Sequence, residues 1–274
     1  MRKTILRDVT LLNVTNRRRF FAAPAQFDSD KARVTLDREE THHLRKVLRL
    51  TTGDEVFVFD GEGDEFLCVV EESGREAEAT LAVRQRVPPA QAESPLDLTL
   101  AVALLKNEKL DWVVQKATEL GVRRITPVMT KRADVRVREE GETTRRRIVR
   151  LERLALQAAK QSGRARVPAV DAPIVFDDLL STSFSASSAA WAEKHLMFAE
   201  RGGRGLAEVF SELTAAPSRV TALVGPEGGW EDAEIEAARE RGWMVITLGG
   251  RTLRAETAAI TIVALLQHLC GDLV

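Results

Sequence analysis

Two segments of this chain share one build, and together they restrict its fold more than any other feature. Leu223-Val224-Gly225-Pro226-Glu227-Gly228-Gly229 carries an apolar strand into a rigid glycine-rich turn, with one carboxylate held between Pro226 and Gly228. Val245-Ile246-Thr247-Leu248-Gly249-Gly250 does the same, followed by Arg251-Thr252-Leu253-Arg254-Ala255-Glu256-Thr257-Ala258. Two strand ends that open into glycine-rich backbone predict a crevice for a small ligand in an α/β protein.

The rest of the C-terminal part agrees. Beyond Pro95, strands and helices alternate. Leu98–Leu104 is a continuous apolar run, as for a strand buried on both faces, and Lys109–Leu120 has a helical stripe that stops at Gly121. Strands are expected at Arg124–Val128, Val220–Val224 and Met244–Leu248, and helices at Glu142–Gln161, Glu231–Arg241 and Glu256–Leu269. Ser181–Ala190 reads as a low-complexity loop. Repeated βα units predict a mostly parallel sheet covered on both faces. Residues 17–90 read differently, as a small β-rich module. Val56–Phe59 and Phe66–Val70 form a hairpin around Asp60-Gly61-Glu62-Gly63, Ala79–Arg86 adds a strand, and Arg38–Leu50 has a helical period through His42, Leu44, Val47 and Leu48. The proline-broken stretch Val87–Pro95 is the linker. The expected organisation is an extension (1–16), a β-rich module (17–90) and an α/β domain (91–274).

Charge is uneven although the net charge is −1. Residues 1–50 carry twelve Lys and Arg against six Asp and Glu, and residues 96–170 carry seventeen against nine. The intervening and closing blocks are acidic. Two basic regions on a neutral chain point either to patches for a polyanion or to solvated helix faces. Arg17, Arg18 and Arg19 open the small module; His42, Arg45, Lys46 and Arg49 recur at helical spacing; Arg164 and Arg166 follow Gly163 at a helix exit. The chain has no tyrosine, so its pattern favours contact with nucleic-acid backbone over base stacking. Cys68 and Cys270 lie far apart in apolar runs and offer neither a disulfide framework nor zinc spacing. With no secretory pattern after Met1 and no apolar run long enough to span a bilayer, the expectation is a soluble cytoplasmic protein without metal.

A glycine-rich loop usually suggests phosphate, but this one lacks Gly-x-Gly-x-x-Gly and Gly-Lys-Ser/Thr patterns. Glu227, Glu231, Asp232 and Glu234 crowd the start of the next helix and would repel a pyrophosphate. A neutral or cationic ligand fits better. Thr257 has the placement of a helix cap. Arg251 and Arg254 either pair with Glu227 or Glu256, or offer guanidinium forks to a phosphate or carbonyl.

Leu223–Gly229, Leu248–Ala258, Asp111–Glu119 with Leu120-Gly121-Val122, and Gln161–Pro168 together resemble the ribosomal RNA small subunit methyltransferase E family, the 16S rRNA (uracil-N3) methyltransferases of the SPOUT superfamily. Arg18-Arg19-Phe20-Phe21 and His43–Arg49 fit as well, so the resemblance spans residues 18–274. Ala255 and Ser162 depart from it, standing where Thr and Cys are expected. It implies a PUA-like β-barrel followed by a SPOUT domain with a parallel sheet and a trefoil knot, and a homodimer formed through the knot region. It implies S-adenosyl-L-methionine as methyl donor, held around Pro127, along Val224, Gly225, Pro226, Glu227, Gly228 and Gly229, and along Leu248, Gly249, Leu253, Arg254, Thr257 and Ala258. It implies 16S rRNA, within the small ribosomal subunit, as substrate. Methylation at uridine N3 requires removal of a proton, and the expected catalytic residues are Arg254, to steady the uracil or its phosphate, and Glu227 or Glu256, for the proton or for orienting Arg254. The rival readings are a related knotted methyltransferase acting on tRNA or a ribose 2′-hydroxyl, and an RNA-binding protein with no donor crevice.

Overall fold

A computed structural model of the chain describes residues 17–72, 78–106, 108–133, 141–182 and 193–273. The extension 1–16 and all but the first two residues of the low-complexity segment lie outside them. The chain divides into two compact units, Met1–Glu93 with Ala159–Val167, and Ser94–Ala158 with Pro168–Val274.

In the first unit, strands β1 (Arg19–Phe21), β2 (Arg33–Leu36), β3 (Glu55–Phe59), β4 (Glu65–Glu72) and β5 (Ala79–Val87) form one sheet in the order β1-β3-β4-β5-β2. β1 runs parallel to β3 and the other pairings are antiparallel. Register shifts at Leu67/Cys68 and Val70/Glu72 bend β4, as bulges do, and the sheet curls into a half-barrel. Period-2 alternation turns Val56, Val58, Phe66, Cys68, Val70 and Leu81 onto one core with Phe20, Leu36 and Leu44. Burial pushes the Cys68 thiol up to about 12 and the Cys270 thiol up to about 11, so neither is a ready nucleophile.

The other face of β3 carries the opening arginines. Arg17 and Arg19 each lie over a ring, Phe57 and Phe59 respectively, at 4.7 Å, and both pair with the fully buried Glu65 at 3.2 and 3.1 Å. Arg19 also donates to the carbonyls of Lys160 and Arg164, which ties residues 159–167 to this unit. The helical expectation for Arg38–Leu50 needs correction. Helix α1 (Arg38–His42), capped by the Asp37 carboxylate on the Glu40 amide at 2.8 Å, opens into a π-turn over His43–Val47. The wider turn rotates the following side chains off the buried face. Leu44 stays in the core, whereas Val47 is 60% and Leu48 37% exposed.

The second unit runs β6 (Asp97–Ala103), α2 (Lys109–Glu119), β7 (Arg124–Met129), α3 (Glu142–Ser162), β8 (Ala169–Val170), β9 (Ile174–Val175), α4 (Phe176–Thr182), β10 (Glu193–Phe198), β11 (Arg204–Gly205), α5 (Leu206–Ser211), β12 (Arg219–Val224), α6 (Asp232–Glu240), β13 (Met244–Thr247) and α7 (Ala255–Cys270). The strand order is β11-β13-β10-β12-β6-β7-β8, with β9 also on β7, and all these pairings are parallel. The expected parallel α/β sheet is present. β10, which sequence pattern did not mark, stands at its centre between β12 and β13. Pro127 sits within β7 paired with Val102, and having no N–H it cannot donate to a neighbour. On the far edge the partner splits there into β8 and β9, and the Thr126 hydroxyl donates to Asp171 at 2.7 Å in the gap. Among the described residues no helix is long and apolar enough to cross a membrane.

Glu65→Ala leaves two largely buried guanidinium groups without their carboxylate. It is expected to destabilise the protein by about 3 kcal/mol, read from urea unfolding and from faster amide exchange in β1 and β4; a loss below about 1 kcal/mol would contradict the buried-pair account.

Candidate functional site

β12, β10 and β13 lie side by side with their C-terminal ends in register, Phe198 opposite both Val224 and Ile246. Each strand ends there in a loop, and the loops enclose a cavity of about 460 Å³, within the range of small-molecule sites. Its position outside the carboxyl ends of parallel strands is the one α/β topology favours. The walls are Val224–Glu227, Gly229 and Trp230 from the first glycine loop, Thr247–Arg254 from the second, Phe198–Glu200 from the end of β10, and Ala255, Ala258 and Ile262 from α7.

The first loop is held by close backbone approach. Pro226 accepts from the Gly229 amide at 3.0 Å, closing the turn. The indole of Trp230 is buried under it and donates to the Phe198 carbonyl at 2.8 Å, joining the loop to the end of β10. A Cβ on Gly225 would meet Trp230 Nε1 at 2.7 Å, and one on Gly229, where φ is +67°, would collide with the Glu200 carboxylate. Gly225 is therefore a steric requirement, set by the buried indole, and Gly229 a conformational one, set by its positive φ. At the following helix, the buried Glu234 accepts from the Glu231 amide at 3.0 Å and from the Lys131 amide at 3.1 Å. The carboxylates read as crowding a helix start thus include one that satisfies helix and loop donors.

Of the residues named for the methyl donor, Val224, Gly225, Pro226, Glu227, Gly229, Leu248, Gly249, Leu253, Arg254 and Ala258 line the cavity. Gly228 does not; it faces Arg132, whose guanidinium donates to its carbonyl at 3.3 Å. Pro127 is buried in β7, separated from β12 by β6. Thr257 does not cap α7, because the helix starts at Ala255 with Arg254 at the cap position, leaving Thr257 exposed in the first turn. Phe198, Ala199, Glu200, Trp230 and Thr252 join the walls without having been named from sequence.

Of the two readings for the arginines, pairing with Glu227 or Glu256 is not what the structure has. Among the described residues neither Arg251 nor Arg254 has an ion-pair partner, and both line the cavity exposed. Glu227 and Glu256 turn instead to Lys109, at 2.9 and 3.6 Å. That hydrogen bond to Glu227, with the field of both carboxylates, raises the Lys109 pKa above its ordinary value.

The basic residues named for RNA divide in two. Arg17, Arg19 and Arg164 are committed internally: the first two to Glu65, and Arg164, only 5% exposed, to Glu93 at 2.6 Å. Arg45 donates to the Glu78 carbonyl at 3.5 Å, and the Arg166 side chain packs at Gly63. Arg18 sits beside Asp54 at 3.8 Å. His42, Lys46 and Arg49 are exposed, near Val47 and Leu48, on the surface of the first unit.

Such a crevice on a parallel sheet defines a small-ligand α/β domain, and its relatives define the class. Residues 92–267 match the RNA methyltransferase domain family, and residues 36–81 match the RNA methyltransferase PUA domain. The chain is an RNA methyltransferase by family. The ribosomal RNA small subunit methyltransferase E of Synechocystis sp. is 31% identical over 251 residues, covering 92% of this chain and 77% of that protein. The protein of that name from Rickettsia conorii is 32% identical over 229 residues, covering 83% and 86%. A crystal structure of a ribosomal RNA small subunit methyltransferase E from Neisseria gonorrhoeae bound to S-adenosyl methionine superposes with a TM-score of 0.78 at 28% identity, covering 94% of this chain and all of that one. The chain belongs to the ribosomal RNA small subunit methyltransferase E family.

If the glycine loop is locked as described, the Trp230 indole N–H exchanges slowly with solvent in the native protein. Gly225→Ala should speed that exchange at least about tenfold and cost about 1–3 kcal/mol, since a core with no room for a methyl must deform; unchanged exchange by NMR would contradict the lock.

Proposed function

We propose that this protein transfers a methyl group from S-adenosyl-L-methionine to N3 of a uridine in 16S rRNA of the small ribosomal subunit. Its family makes it an S-adenosylmethionine-dependent rRNA methyltransferase; the uridine N3 target is the finer part of the reading. The observation that carries the donor assignment is the cavity, which joins close-approach backbone, apolar walls at Pro226, Leu248, Leu253 and Ile262, and the carboxylates Glu200 and Glu227. Apolar walls with a carboxylate nearby suit a ligand that carries a sulfonium. In this reading the backbone of Val224–Gly229 and Leu248–Leu253 holds the donor, with Phe198–Glu200 completing the wall, and the bound donor supplies an electrophilic methyl group.

The protein's own task is then to orient the base and deal with its proton. Uridine N3 is nucleophilic only once its N–H proton has left, and negative charge then spreads onto the flanking carbonyls. Arg254, unpaired at the cavity wall and at the N-terminus of α7, is placed to receive that charge. Glu227, the cavity carboxylate held by Lys109, is our candidate for the proton, and Glu256 acts with it through the same lysine.

For RNA, we assign the contact surface of the first unit to His42, Lys46 and Arg49, with Arg18 at its edge. Arg17, Arg19 and Arg164 support the fold and leave that role. The homodimer through the knot region, the trefoil knot and a cytoplasmic location belong to the same proposal, on the strength of the family resemblance.

Two measurements test this. Small ribosomal subunits incubated with the protein and labelled donor should yield N3-methyluridine on nucleoside mass spectrometry; a 2′-O-methyl nucleoside, or label in tRNA alone, would overturn the target. Lys46→Glu with Arg49→Glu should weaken RNA binding and lower the slope of log affinity against log salt by about 1–2, with donor affinity unchanged; an unaltered slope would remove these residues from the interface.

A further inference from the structure

Lys109 falls in the basic block of residues 96–170, whose charges read from sequence as a patch for a polyanion or a solvated helix face. The structure gives Lys109 different neighbours. It is the first residue of α2, immediately beyond β6, and its ammonium lies 2.9 Å from Glu227 Oε1 and 3.6 Å from Glu256 Oε2. Glu227 belongs to the first glycine loop and lines the cavity. Glu256 is the second residue of α7, two positions after Arg254, which lines the cavity from the second loop. Glu256 Oε2 is buried and, among the described residues, makes no hydrogen bond, so the ammonium is the charge that compensates it. One side chain thus reaches both walls of the crevice.

We propose that Lys109 is a positioning residue for methyl transfer, clamping the Glu227 loop to the start of α7 and so fixing Glu227 and Arg254 across the cavity. This rests on the function proposed above. Three independent elements meet at this ammonium, and its removal leaves two carboxylates within reach of a single point with no cation between them. Their repulsion acts on the loop that carries Glu227 and on the helix terminus that carries Arg254. A half-exposed pair contributes little to global stability, so the effect belongs to geometry at the site. Small displacements of reacting groups are costly to rate even when the fold is intact.

The test uses the full-length protein with S-adenosylmethionine and small ribosomal subunits, measuring kcat, KM for each substrate and thermal midpoint for Lys109→Met and Lys109→Arg. The wild-type protein is the control for the function itself; if it transfers no methyl group, the proposed function fails before the clamp is tested. With an active wild type, Lys109→Met is expected to lower kcat at least about tenfold and to raise the donor KM several-fold, with the RNA KM and thermal midpoint essentially unchanged. Lys109→Arg, whose fork can reach both carboxylates, should restore most of the rate. Wild-type kinetics in Lys109→Met would overturn the clamp. So would equal impairment of the Arg variant, an effect confined to the RNA KM, or a fall in midpoint that accounts for the lost rate.

Discussion

The candidate site depends on one steric constraint, the absence of side chains where the loop after β12 crosses the end of β10. Trp230 fills the space that a Cβ on Gly225 would need, and the Glu200 carboxylate fills the space beside Gly229. With both positions bare, the indole reaches the Phe198 carbonyl and the loop closes on itself at Pro226. The path of the first loop along the cavity is then fixed before any ligand arrives. Preorganisation of that kind lowers the entropic cost of binding and keeps the neighbouring charges in place.

The electrostatics follow the same plan at two scales. In the first unit Glu65 gathers Arg17 and Arg19 against the rings of Phe57 and Phe59, turning a basic motif into a structural joint. Around the cavity Lys109 gathers Glu227 and Glu256, and among the described residues the guanidinium groups of Arg251 and Arg254 have no ion-pair partner. Where charges are satisfied internally the protein is held together. Where, among the described residues, they have no ion-pair partner, as at Arg254, Lys46 and Arg49, the protein can meet an anion.

Much of this was legible in the sequence, because periodicity and glycine placement record local constraints. The apolar run of β6, the stripe of α2 and the strand-to-glycine transitions after β12 and β13 all predict elements that the structure contains. The two glycine loops were legible as walls of a crevice for the same reason; the individual donor contacts came from the family resemblance, and of those Pro127, Gly228 and Thr257 do not line the cavity. What escaped was long-range. β10 begins with the polar Glu193-Lys194-His195 and follows a low-complexity segment, so its three apolar residues Leu196–Phe198 did not stand out. Their neighbours β12 and β13 supply the context that makes it a central strand. Pairing of charges was equally hidden, since nothing local tells an arginine on a buried glutamate from one facing solvent. The resemblance to a known family supplied the ligand class, which glycine and carboxylate patterns alone narrowed only to something neutral or cationic.

The central claim is that the crevice at the ends of β10, β12 and β13 holds the methyl donor. A crystal structure of the protein grown with S-adenosylmethionine tests this most directly. The account predicts one donor per chain between Val224–Gly229 and Leu248–Leu253, in contact with the end of β10. A donor bound elsewhere on the chain, or a crevice left empty at saturating donor, would contradict it.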